Sequence, residues 1–335
     1  MAGARVPATP LVRRPRVGAP GYALAVDATT TPTSVAPVSV RREGLAWAFA
    51  GVLMFSFSVP LTKEAVGGFS PYLTATGRAV IAGVIAAALL ALTRARLPPP
   101  HLRRPLVFTM LGAVFGWPIL LALALERTTS AHVAVIAAFM PLTTALIAVM
   151  RTHERVSWQF WAAAGIGTAA LVVFALSRAG GGDDLLADLL VVGAVLMSSW
   201  CYVEGATVTR AMPGWQVISW VVVLALPLTI PLSAVLWWFT RDSYSPSGTE
   251  WLSLVLLGVS SMYLGFFAWY RGLSLAGIAR GGQVQQLQAL LTLVWSALLL
   301  NEHVTAPTVL VALTVIGSVV WAQRARVPPV VTPQE

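Results

Sequence analysis

Charge is what this sequence has least of. Lys, Arg, Asp and Glu make up 10% of the 335 residues against 57% hydrophobic, and the mean hydropathy is +0.77. A soluble protein carries about 25% charged residues, so this balance excludes a soluble fold. Cysteine is scarcer still: Cys201 stands alone, which rules out an internal disulfide and a cysteine-cluster metal site. The four histidines, His101, His132, His153 and His303, fall in loops or at helix edges. Ser130 and His132 are neighbours in sequence only, not the deep pair that an intramembrane protease needs. No G-x-x-x-x-G-K-[ST] loop is present, which excludes ATP hydrolysis by that route. Gly180-Gly-Gly-Asp-Asp184 lacks the spaced oxygens that calcium requires and reads as a flexible outer loop. Nothing in the pattern calls for a cofactor or a metal.

What is present is a series of apolar stretches. A helix needs roughly 20 residues to cross a bilayer, and ten stretches approach that length, at about 45–61, 72–93, 105–125, 132–150, 157–176, 189–207, 217–239, 251–272, 279–300 and 305–322. The expected fold is therefore all-α and integral to the membrane, with ten transmembrane helices. Residues 1–43 are rich in Pro, Ala, Thr, Val and Arg; their longest apolar run, Tyr22–Val26, is too short for a signal-peptide core. They read as a disordered basic tail, with a second short tail at 324–335.

The formal net charge is +9, but the arginines lie in loops and tails, so the lipid surface, and not nucleic acid, is the expected partner. With the N-terminus in the cytoplasm, 17 Lys and Arg fall in inner segments against 4 in outer ones, leaving Arg78 inside a helix. That bias puts both termini on the cytoplasmic side of the cell membrane.

The chain also echoes itself. An offset of 148 pairs Glu154 with Glu302 and Ala131 with Ala279, each acid closing the fourth helix of a five-helix block. Leu61-Thr62-Lys63 is echoed by Val208-Thr209-Arg210. Five is odd, so the second copy enters the membrane inverted. The expected repeats are 44–178 and 185–323, with a site near the midplane between them, as in secondary transporters.

Several short motifs sit on this frame: Phe55-Ser-Phe-Ser-Val-Pro60-Leu-Thr-Lys63 followed by Pro71 and Arg78, Ala137-Ala-Phe-Met-Pro141 leading to Glu154, and Ala268-Trp-Tyr-Arg271 with Gln283 to Gln288 and Glu302. Together they resemble the drug/metabolite transporter superfamily, EamA-type, over about residues 45–322. The resemblance implies a carrier of small metabolites in the inner membrane, often an exporter, working without ATP. Ala289 departs from it at the place matching Pro141, so a proline kink is not implied for the ninth helix.

Candidate site residues follow from polar groups placed in apolar surroundings, where an unpartnered one costs several kcal/mol. At 100° per residue Gln283 and Gln286 share one face of the ninth helix, and Gln285 and Gln288 share a nearly opposite one. One pair is expected to meet substrate while the other bonds a neighbouring helix. The aligned positions Val135, Ala137, Ala138 and Met140 are apolar, so polarity is expected chiefly from the second half. Trp269 and Tyr270 are candidate aromatic walls. Arg78 lies about 10 Å into the second helix and suits a carboxylate, either of the substrate or of Glu64 or Glu126. Glu204, the deepest acid, is the candidate for proton coupling, with Arg210 or Arg280 as the competing partner.

A secondary carrier of a small polar metabolite, such as an amino acid, is the leading expectation, with export as its direction. A membrane enzyme on a lipid-linked substrate and a non-transporting scaffold or sensor stay open, as does a homodimer.

Overall fold

The backbone explains itself once the solvent is hydrocarbon: every N–H and C=O has to bond within the segment, and helices do this. The computed structural model describes residues 38–152, 158–179, 185–276 and 284–324, and among them there is no strand. The basic tail up to residue 37, the tail from 325, and Glu154, Arg280 and Gln283 lie outside the described residues.

Among the described residues seven helices are long and apolar enough to cross a membrane: α1 (Arg42–Gly68), α2 (Pro71–Leu92), α3 (Pro100–Leu125), α4 (Ser130–Arg151), α6 (Leu185–Val208), α7 (Gly214–Thr240) and α8 (Gly248–Ala276). Between α4 and α6 lies α5 (Trp158–Ala179), of 22 residues. The chain ends on α9 (Leu287–Leu300) and α10 (Ala306–Arg324). Helical geometry before α1 already begins at Val38.

Local chemistry sets the ends. Ser70 accepts from the Leu73 N–H with Pro71 in the first turn of α2, where its missing N–H leaves nothing unsatisfied. Ser247 and Glu250 form a reciprocal capping box on α8. Asn301 closes α9 in the left-handed region, φ 52°.

The start of α4 is held from the far end of the chain. Glu302, just past α9, accepts from the N–H groups of Ser130 and Ala131 at 2.9 and 2.8 Å. A carboxylate there satisfies two orphan donors and meets the positive end of the helix dipole. Glu302→Ala is expected to cost about 1–2 kcal/mol, read as a fall of a few degrees in melting temperature in detergent; an unchanged melting temperature would remove this role.

The packing is reciprocal. α1 lies along α8 and α3 along α6, while α2 packs on α7 and α5 on α10. Close approach rests on small residues. A Cβ on Gly272 would meet the Ala48 nitrogen at 2.4 Å, and one on Gly51 the Trp269 nitrogen at 2.8 Å.

Among the described residues five helices are irregular along their length, α1 among them with a turn at Phe57. α3 and α8 contain π-helical stretches, Leu111–Gly116 and Leu257–Leu264. α4 breaks into a turn at Ala138–Phe139, just before Pro141. Ahead of α9, Gln285 and Gln286 also form a turn, and the Gln288 N–H reaches the Gln285 carbonyl at 3.0 Å. The absence of proline at Ala289 thus does not keep this place helical. α7, in contrast, runs unbroken through Pro227 and Pro231.

Candidate substrate site

The irregular stretches surround a narrow central pocket. Its lining divides evenly: Phe55, Ser58, Arg78, Ala113, Trp117 and Met140 come from α1 to α4, and Ser198, Tyr202, Ser261, Met262, Phe266 and Gln288 from α6 to α9. Ala113, Ser261 and Met262 lie on the π-helical stretches, a distortion frequent at functional sites because it redirects side chains out of helical register.

Arg78 is the pocket's one charge. It is 3% exposed and donates to Ser261 Oγ at 2.6 Å and, more weakly, to Ser58 Oγ at 3.4 Å. Its Nε has no partner among the described residues. Neither Glu64 nor Glu126 reaches it; the groups within bonding distance are two neutral hydroxyls. Taking a cation out of water costs several kcal/mol, and hydroxyls return only part of that. The guanidinium thus keeps a planar donor edge, suited to a carboxylate.

Gln288 faces the same pocket, and its amide oxygen is a buried acceptor without a partner among the described residues. A second, smaller crevice adjoins at Met140 and Gln288, between the break in α4 and the turn ahead of α9. Gln285 lines this crevice and donates to Met140 Sδ at 3.4 Å. Gln286 is buried, its amide nitrogen has no partner among the described residues, and it lines neither space.

Aromatic rings form one wall. Phe55 lies 5.0 Å from Phe266 and 6.3 Å from Tyr202, centroid to centroid. Trp269 and Tyr270 are buried behind these rings: Trp269 contacts Tyr202 at 5.9 Å and Tyr270 contacts Phe266 at 5.7 Å. Neither lines the pocket itself.

Glu204 lies elsewhere. It is 3% exposed and accepts from Arg151 Nε at 3.1 Å, so its partner is a residue of α4, not Arg210.

Four polar residues of the lining, Ser198, Tyr202, Ser261 and Gln288, come from the second half, while the charge of Arg78 and the Ser58 hydroxyl come from the first. Ser58, Ser198, Ser261, Trp117, Met140 and Phe266 were not singled out from sequence. A serine in an apolar helix most often bonds its own helix, as Ser261 also does to the Leu257 carbonyl at 3.1 Å. Only the crossing of α2 and α8 brings Ser261 to Arg78.

Comparison with known proteins agrees with this architecture. The EamA-like transporter family matches twice, over residues 42–176 and 185–323. The uncharacterized transporter YdeK of Bacillus subtilis (strain 168) is 41% identical over 277 residues, covering 82% of this chain and 95% of that one. The aromatic amino acid exporter YddG of Ancylobacter novellus is 26% identical over 226 residues, 67% of this chain and 77% of the relative. An S-adenosylmethionine/S-adenosylhomocysteine transporter of Chlamydia trachomatis serovar L2 is 28% identical over 162 residues, 45% of this chain and 49% of the relative. A solved crystal structure shares the fold at a TM-score of 0.61 and 22% identity, covering 84% of this chain and 98% of the other. Multi-pass, duplicated and built around an internal pocket, this chain is a transporter and not an enzyme, and it belongs to the EamA-like transporter family.

Proposed function

We propose that the protein carries a small metabolite bearing a carboxylate across the cytoplasmic membrane by alternating access, in the direction of export. The observation that carries this reading is Arg78: a buried cation with no carboxylate beside it, in a pocket lined equally from both halves. A substrate carboxylate would supply the missing counter-charge, and the Gln288 oxygen would accept from an ammonium or amide of the same molecule. The aromatic wall suits an apolar side chain. The names of two relatives support this class, since aromatic amino acids and S-adenosylmethionine all carry an α-amino carboxylate; one relative is named an exporter.

The proposed frame is ten membrane helices in two inverted five-helix repeats, 44–178 and 185–323, with both termini cytoplasmic. The reciprocal packing and the matched irregularities in α3 and α8, and in α4 and ahead of α9, support it. Gln285 would shape the neighbouring space, and Trp269 and Tyr270 would back the aromatic wall. No second copy is needed, because one chain lines the whole pocket. The driving force in this reading is the substrate's own gradient. Glu204 is engaged by Arg151, so a proton arriving there has to displace a cation.

The test is flux of a mixed metabolite pool through proteoliposomes, read by mass spectrometry, with and without an imposed pH gradient. Selective movement of carboxylate-bearing solutes is expected, with the Glu204→Gln variant showing the same gradient response as the parent. Folded protein that moves no solute beyond empty liposomes would end the proposal. Gradient stimulation lost in Glu204→Gln would restore that residue as the coupling site.

A further inference from the structure

Where α6 hands the chain to α7, at the membrane face that also holds the start of α1 and the last turns of α8, a cleft of about 550 Å³ opens. Small-molecule sites span roughly 300–1,000 Å³, so the cleft is large enough to hold a ligand. Two arginines line it, Arg210 from the turn after α6 and Arg271 from α8, and no acid is among the lining residues. Trp47, Trp215 and Phe267 supply aromatic surface, with the Trp47 and Phe267 ring centroids 6.2 Å apart. None of these residues lines the substrate pocket.

The two charges are poorly matched within the chain. Arg271 faces Glu43 at 3.6 Å with both side chains about half exposed, a long surface pair of the kind worth about 0–1 kcal/mol. Arg210 makes no ion pair among the described residues. Snorkelling accounts for single arginines at helix ends. It does not account for two, from separate elements, converging on one concavity walled by indoles. A guanidinium fork takes phosphate oxygens in pairs, and tryptophan settles at headgroup level in a bilayer. Basic clefts between membrane helices bind anionic headgroups by this combination. The chain's own N-terminal tail is a poor occupant, since Arg5, Arg13, Arg14 and Arg16 outweigh Asp27 there.

We infer that this cleft binds the headgroup of an anionic phospholipid, with Arg210 and Arg271 on the phosphate oxygens and the acyl chains leaving past Trp47 and Phe267 into the bilayer. Glu43 is then a competitor: its carboxylate has to give up Arg271 when the phosphate arrives. The site requires only that the chain is embedded in a membrane, so it stands apart from the transport reading and from whichever solute is carried.

The test is native mass spectrometry of the full chain released from detergent, titrated with phosphatidylglycerol or with phosphatidylcholine. The parent is expected to bind its first phosphatidylglycerol at least fivefold more tightly than its first phosphatidylcholine. Arg210→Gln with Arg271→Gln should abolish that preference. Arg103→Gln with Arg104→Gln removes the same charge from exposed arginines outside the cleft, and should leave the preference as it was. Glu43→Gln should increase it, and this gain carries the test if the Arg210/Arg271 variant does not fold. Equal binding of the two lipids by the parent would overturn the inference. So would a preference that survives loss of Arg210 and Arg271, or that falls equally in the two double variants. Displacement of the bound lipid by an equal concentration of glycerol 3-phosphate would also overturn it, making the occupant a soluble phosphate.

Discussion

Arg78→Met is expected to raise the melting temperature while reducing transport of a carboxylate substrate at least about a hundredfold. Most substitutions that abolish function in a buried site also destabilise, so the opposite signs are the diagnostic part. A cation 3% exposed, bonded to two serines and facing no acid, is a net cost to the fold. Replacing buried ionic groups by apolar ones of similar volume can gain about 1–4 kcal/mol. Ser261 keeps its bond to the Leu257 carbonyl after the change, so no hydroxyl is stranded there. Function moves the other way. Two charge-assisted bonds to a carboxylate, lost together, are worth about 3 kcal/mol or more, and each 1.4 kcal/mol is tenfold. Arg78→Lys should sit between, keeping the charge and losing the fork. Thermal unfolding in detergent alongside liposome flux reads both quantities. A lower melting temperature with flux preserved would make Arg78 a structural residue and remove the anchor from the proposal.

Gly272→Leu is expected to leave no monodisperse protein. α1 and α8 come from different halves, and at Gly272 their backbones meet: an added Cβ would lie 2.4 Å from the Ala48 nitrogen and 2.7 Å from its Cα. Backbone cannot turn aside as a side chain can, so the helices must separate. Gly272→Ala should cost about 1–3 kcal/mol by overpacking, and leucine adds three more carbons to the same contact. Gly317→Ala is the control. A Cβ there meets nothing within 4 Å, and alanine in a helix is favoured over glycine by about 0.5–1 kcal/mol. Size-exclusion profiles and melting temperatures of the three variants check the order. A well-behaved Gly272→Leu protein would mean that the α1–α8 contact is looser than drawn.

Much of this architecture is written in the chain as composition and period. The scarcity of charge requires a membrane, and seven of the apolar stretches are helices of crossing length. The EamA-type motifs named the family, which the two family matches bear out. Arg78 and Gln288 were legible as site candidates because polar groups in hydrocarbon need a reason, whereas Tyr202 was not singled out. Arg78 and Gln288 line the central pocket beside Tyr202. Trp269 and Tyr270 carried the same signal for a different cause, since burial against other rings looks identical in sequence to facing a cavity.

What sequence could not give is which side chains meet across helices. Glu204 offers Arg210 six residues away, a separation that leaves the two on different helix turns, while Arg151 arrives from α4 through packing alone. The turn at Gln285–Gln286 forms without a proline, and the π-helical stretches of α3 and α8 have no residue signature. The sequence by itself determined the solvent, the helices, the duplication and the family, because these depend on hydrophobic runs and on matches along one chain. Tertiary structure alone decided that Arg78 faces serines and not an acid, that half the pocket comes from each repeat, and that Arg151 of α4 meets Glu204 of α6. Those facts depend on contacts between residues as much as 183 positions apart, and a helix period carries no information about what lies beside it.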